Sequence, residues 1–380
     1  MIIKNARVFD GVKFLREDTV EAKRGIITGI YKGAPPRIKT GIIDAEGMIL
    51  SPGLIDIHTH GAGGVHTLDI KSKKDIRKIS MENARAGVTA VLAACFYSPE
   101  TAHIIEKISQ YAETGTGAFI AGVYLEGPFI SSEKRGMIPA EFIVSERERA
   151  DEFLKFAANK NNKIKICCIA PEHKVFSKAA VFLKEQGIIM SMGHSSADYK
   201  ETLRGIKKGI SCAAHLFNAM KGLHHREPGP AAAFFEEKNT FVEVIADGVH
   251  IHRSVLRIIY KLFGRGRIVL ITDSPGLKEG GGKKRINAAV RAYRGKNGAY
   301  YLDDGRLMGG GASLLQAVKN MREWCGIPLQ DALAMATSTP AAVSGIKAGR
   351  IKKSLPADMI LLDEKLNLKK VFVRGKQFKT

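Results

Sequence analysis

Eight short apolar runs recur between residues 54 and 273, separated by stretches with helical spacing. They are LIDIHTH (54–60), VTAVLAACF (88–96), AFIAGVYLE (118–126), KIKICCIAPE (163–172), GIIMSMGH (187–194), GISCAAHLF (209–217), FVEVIADG (241–248) and RIVLITD (267–273). Between them lie amphipathic patterns such as SKKDIRKISMENARAG, SPETAHIIEKISQYAET and DYKETLRGIKKG. Strands apolar on both faces that alternate with helices indicate a parallel sheet covered by those helices. Eight such units predict an α/β fold, a closed (β/α)8 TIM-type barrel.

The two ends of the chain read differently. IIKNARVFDG, TVEAKRGIITGIYKG and GIIDAEGMILSPG alternate apolar and polar residues between glycine turns, and SLPADMILLDEKLNLKKVFVRGKQF near the C-terminus resembles them. We expect residues 1–51 and 347–380 to form one small β-sandwich appendage and residues 52–346 the barrel.

Composition narrows the classes of partner. Lys and Arg number 59 against 38 Asp and Glu, so the formal charge is +21. The cations are spread along the chain, and no basic stretch carries interleaved aromatics, so neither nucleic acid nor membrane is an expected partner. A small anionic substrate suits the balance. No apolar run approaches the roughly 18 residues of a membrane span, and MIIKNARVFDG has no signal-peptide h-region. The five cysteines form no CxxC pair, which with the rest predicts a reducing, cytoplasmic setting. Gly280, Gly281 and Gly282 lack a following Lys-Ser/Thr, so they read as a loop near the barrel mouth and not as a P-loop.

The ends of the apolar runs carry the chemistry. The first finishes with His58 and His60, the third with Glu126 and the fifth with His194; the sixth carries His215 and the last ends with Asp273. In a barrel, those C-terminal ends converge on one mouth. His58 and His60, two apart on a strand, share a face. Such a pair alone is as compatible with packing as with metal binding. Beside His194, His215 and Glu126 it becomes half of a donor set for zinc, iron or manganese. A metal lowers the pKa of bound water, and Asp273 is placed to move the proton. By itself Asp273 also fits a helix N-cap. His252 is expected to cap the following helix, and Glu172 to serve as a structural hydrogen-bond acceptor.

Longer motifs add a resemblance. PGLIDIHTHGAGG (52–64), YLEGPFISSEKRG (124–136), MGHSSADY (192–199), AAHLFNAM (213–220), REPGPAAA (226–233), IADGVHIH (245–252) and ITDS (271–274) follow one another in this order. The chain resembles the amidohydrolase superfamily and, within it, the N-acetylglucosamine-6-phosphate deacetylases. The resemblance implies that Glu126, His194 and His215 are metal ligands, that His58 and His60 add a second pair, giving one or two metals per subunit, and that Asp273 is the catalytic acid and base. It implies substrate contacts from Met137, Asn218, Ala219, Arg226 (on the phosphate), His250, Leu307, Met308 and Gly309. It also implies a homodimer in which His224 or His225 reaches a partner's phosphate pocket, and a small phosphorylated amino sugar as substrate. Another amidohydrolase, such as a cyclic-amide hydrolase, or a deacetylase of a related amino sugar is the alternative. Where the family reads Ala-His after the glycine that ends YLEGPFISSEKRG, the chain reads Met137-Ile138.

Overall fold

A computed structural model describes residues 1–33, 41–111, 117–144, 146–277, 284–285 and 291–378. The Gly280–Gly282 run lies outside the described residues.

Eight strands form one parallel sheet in sequence order: β1 (Leu54–Thr59), β2 (Val88–Cys95), β3 (Phe119–Glu126), β4 (Ile164–Ile169), β5 (Ile189–Met192), β6 (Ile210–Ala213), β7 (Phe241–Val244) and β8 (Ile268–Leu270). Eight helices follow them in turn: α1 (Lys73–Arg85), α2 (Pro99–Gln110), α3 (Arg147–Ala158), α4 (Phe176–Glu185), α5 (Tyr199–Lys207), α6 (Gly229–Glu236), α7 (Arg253–Phe263) and α8 (Leu314–Cys325). Their starts are written locally. Ser72 and Asp75 close a capping box on α1, Asp198 and Glu201 one on α5, and Ser313 caps α8. His252 caps α7 by accepting from Ser254 N, as its position suggested.

The barrel closes between β8 and β1 by two sets of backbone bonds. At the mouth, Asp273 N donates to His58 O at 2.9 Å and His60 N to Ser274 O at 2.9 Å. Toward the other end, Met335 O and Ala336 O accept from Leu270 N and Ile55 N, so the segment before the helix Ser338–Ser344 lies between the two strands. Alternation along the strands sorts two cores. Val91, Val123, Cys167, Val242 and Leu270 pack outward on helix residues such as Ile105, Phe153, Leu183 and Leu256. Leu92, Tyr124, Ile166, Cys212 and Val269 pack inward, joined by Val343 and Ile346.

The terminal segments share their sheets. Ile49–Pro52 pairs with Met359–Leu362, which continues to Leu368–Val373 and Lys376–Gln377. A second sheet holds Ile2–Lys4 between Thr19–Lys23 and Ile42–Asp44. Ile3, Val20, Leu50, Met359 and Phe372 form the core between them. A further antiparallel sheet, with strands Arg291–Arg294, Tyr300–Leu302 and Leu307–Gly309, is inserted between β8 and α8.

Candidate active site

The ligand-type residues sit where the strands stop. Of these residues only His58 and Glu126 lie within a strand, because β5, β6 and β8 end two or three residues before His194, His215 and Asp273. At those three positions the backbone turns out of the ladder with φ of 48°, 29° and 47°. Phe217 and Ala219 share the left-handed region, at 73° and 48°. Non-glycine residues seldom adopt it, and such strain gathers at functional sites. Here packing enforces it. Asp273 is pinned by its N–H on His58 O and its carbonyl on Gly310 N, and a Cβ on Gly309 would lie 2.3 Å from Asp273 O. A Cβ on Gly193, next to His194, would meet Ala214 Cβ at 2.8 Å and Cys168 Sγ at 2.9 Å.

Glu126 is the hub. Its Oε1 lies 3.2 Å from Nε2 of His58, His194 and His215, and its Oε2 is 3.1 Å from His60 Nε2. His194 Nε2 and His215 Nε2 are themselves 3.2 Å apart. Tautomers follow from the far ring atoms. His194 Nδ1 donates to Lys134 O at 2.9 Å and His215 Nδ1 to Asn218 O at 3.3 Å, since a carbonyl only accepts. Both Nε2 atoms then present lone pairs to each other and to a carboxylate. His58 Nε2 is buried with no hydrogen-bond partner. A cluster of acceptors this close, hidden from water, demands positive charge at its centre.

Two overlapping triads offer the geometry for a metal: His58, His60 and Glu126, and Glu126, His194 and His215, each with ligand atoms within 4.8 Å of one another. Imidazole nitrogens and one carboxylate are the donors that divalent transition ions take. The electrostatics agree. Burial alone would lower the His60 pKa, but Glu126 and Asp273 carry it to about 9. Burial would likewise raise Glu126, and the imidazoles of His60, His194 and His58 pull it well below the usual carboxylate range. Asp273 Oδ1 stands 3.4 Å from His60 Nε2 and 3.7 Å from His58 Nε2, and its pKa is lowered because His60 and His58 outweigh burial.

A cavity of about 290 Å³ opens over the cluster. Of the residues singled out in the sequence, His60, Glu126, Met137, His194, His215, Asn218, Ala219, His250, Asp273, Leu307 and Met308 line it. His58 lies beneath, fully buried. His250 is aimed by Asp247, whose Oδ2 is 2.8 Å from His250 Nδ1. Two residues fall elsewhere. Gly309 packs behind Asp273, and Arg226 is exposed on the Lys221–Glu227 loop, off the cavity wall of this single chain. Glu172 accepts from Ser195 Oγ and Ser196 N, a structural use that matches its reading.

Sequence reasoning passed over three residues. Glu243, fully buried, accepts from His58 Nδ1 at 2.8 Å. The signal was a lone carboxylate inside FVEV, a strand buried on both faces. Lys134 and Arg306 line the cavity, and Arg306 Nη1 donates to Gly136 O at 2.7 Å. No local pattern marks them, because the inserted sheet brings Arg306 there.

N-acetylglucosamine-6-phosphate deacetylase of Vibrio furnissii is 32% identical over 337 residues, covering 86% of this chain and 82% of the relative. N-acetylgalactosamine-6-phosphate deacetylase of Escherichia coli O157:H7 is 31% identical, covering 92% and 93%. The crystal structure of N-acetylglucosamine-6-phosphate deacetylase from Thermotoga maritima matches with a TM-score of 0.87 at 30% identity, over 100% of both chains. A family model described as the amidohydrolase family matches residues 49–378. Since that match takes in every strand of the barrel and the mouth they build, the chain belongs to the amidohydrolase family.

Proposed function

We propose that the protein is a divalent-metal-dependent hydrolase that removes the N-acetyl group of N-acetylglucosamine 6-phosphate, giving glucosamine 6-phosphate and acetate. The observation that carries this reading is the buried Glu126 hub with four imidazoles and Asp273 on the wall of one cavity. Glu126, His194 and His215 would hold one ion of zinc, iron or manganese, and His58 and His60 a second that shares Glu126. When bound, the metal acts as a Lewis acid that acidifies water and polarises the amide carbonyl.

The chain's own residues do the rest. Asp273 takes a proton from the attacking water and returns it to the nitrogen as the C–N bond breaks. Its pinned backbone fixes the carboxylate before substrate arrives. His250, with Nδ1 engaged by Asp247, has Nε2 left for a sugar hydroxyl, beside Asn218 and Ala219. Leu307 and Met308 bring apolar surface over the ring, and Met137 stands on the opposite loop. Gly309 acts by letting the backbone close on Asp273.

Arg226 meets the phosphate across a subunit boundary in this reading, with His224 or His225 near it, so a homodimer is expected. Lys134 and Arg306 are the same-chain cations on the cavity wall and the alternative anchors. Among the described residues no helix is long and apolar enough to cross a membrane, and the five cysteines are free. A cytoplasmic enzyme is the reading we adopt. The Escherichia coli relative supports a second reading, the 4-epimer N-acetylgalactosamine 6-phosphate. Acetate release from the two phosphorylated sugars and from unphosphorylated N-acetylglucosamine, with metals defined, tests all of this. The proposal expects N-acetylglucosamine 6-phosphate to lead. Preference for the unphosphorylated sugar contradicts it.

A further inference from the structure

The four imidazoles around Glu126 are not held alike. His194 and His215 each rest Nδ1 on a backbone carbonyl, and His60 Nδ1 is buried with no partner. Only His58 is oriented by a side chain, the carboxylate of Glu243 at 2.8 Å. The Tyr124 ring lies against the other side of the contact, with its centroid 4.2 Å from that of His58. All three side chains are fully buried.

Glu243 is an expensive residue to place there. Val242 and Val244 turn outward to the helices, which directs Glu243 to the barrel interior. Among the described residues no lysine or arginine pairs with it; its neighbours are His58, the His215 N–H at 3.4 Å and Cys212 Sγ at 3.9 Å. A buried carboxylate is costly unless a cation pairs with it, and among the described residues that cation can come only through the His58 ring. A cation on Nε2 of His58 would supply that partner through the ring. The carboxylate in turn fixes the tautomer with Nε2 bare and raises the basicity of the ligand.

We propose that Glu243 is the positioning residue that makes the His58–His60 side of the cluster a metal site of its own, selectively over the Glu126–His194–His215 side. This rests on the reading that the cluster holds divalent metal. It is separable from the assigned reaction, because metal binding and acetate release are read independently.

The test is zinc titration of metal-free protein, with zinc per chain measured by elemental mass spectrometry. Wild type should take up about two ions per chain in separable steps. Glu243→Ala should keep the tighter step and weaken the other roughly 10–100-fold. Glu243→Gln keeps an acceptor for His58 Nδ1 and loses only the charge, so it should fall between them. Should Glu243→Ala fail to fold, Glu243→Gln decides, since it preserves shape. Wild-type affinity at both steps in the variant that folds overturns the proposal. So does equal weakening of both steps, which marks a general structural role, and so does a wild type that takes up only one ion.

Discussion

Inside the barrel, the lower strands contribute Ala90, Leu92, Ile166, Cys212 and Val269 to one apolar cluster joined by Val343. Toward the mouth, on the neighbouring strands β1, β3 and β7 and just past β8, the interior turns to His58, Glu126, Glu243 and Asp273, which are buried as well. The apolar layer is the kind of material that stabilises a fold at about 25 cal/mol per Å² buried. The polar layer cannot stabilise itself, because its acceptors face one another. It is held in place by backbone that the apolar layer and the strand closure make rigid. The two layers should therefore respond to change in opposite ways.

Metal removal should separate them most widely. Chelation is expected to reduce acetate release to background and leave the barrel folded by circular dichroism, with zinc or manganese restoring turnover. Unfolding on chelation would show that the mouth also holds the barrel together. Next in size, Asp273→Asn should lower kcat by about 10²–10⁴-fold, the range for a lost general acid–base group, with metal content unchanged. Near-normal turnover would remove Asp273 from its role. At the apolar layer the pattern reverses. Leu92→Ala should cost about 2–5 kcal/mol in denaturant unfolding with KM little altered in the folded fraction. The smallest expected effect concerns the phosphate. Arg226→Ala should raise KM roughly tenfold for the phosphorylated sugar and leave the unphosphorylated one unaffected, the loss of a charge-assisted contact. If Arg306→Ala shows that pattern and Arg226→Ala does not, the phosphate is bound within one chain.

The contrast between the layers also explains what could be read from the residues alone. The strands were visible because a strand covered on both sides must be apolar throughout, and all eight runs contain one. His194, His215 and Asp273 were visible as polar endings of those runs, although the strands stop before them. That shortening has a local cause: left-handed backbone cannot continue a ladder. Glu243 was hidden by the same alternation that placed it, since one polar residue between valines also describes a solvent-facing strand. Arg306 depends on how the inserted sheet closes over the mouth, and no spacing along the chain encodes that, whereas Arg226 was legible only through the REPG motif of the resemblance. The exchange of Ala-His for Met137-Ile138 was legible, and the structure gives its consequence. Met137 lines the cavity and Ile138 is buried with Phe96, Ile130 and Ile143, so that loop now packs on an apolar cluster.

The most direct test of the central claim is anomalous diffraction at the zinc edge from crystals grown with zinc. The account predicts a peak enclosed by Glu126, His194 and His215, at about 2.0–2.1 Å from the two Nε2 atoms. An empty cluster in zinc-grown crystals, with those imidazoles turned from one another, would contradict it.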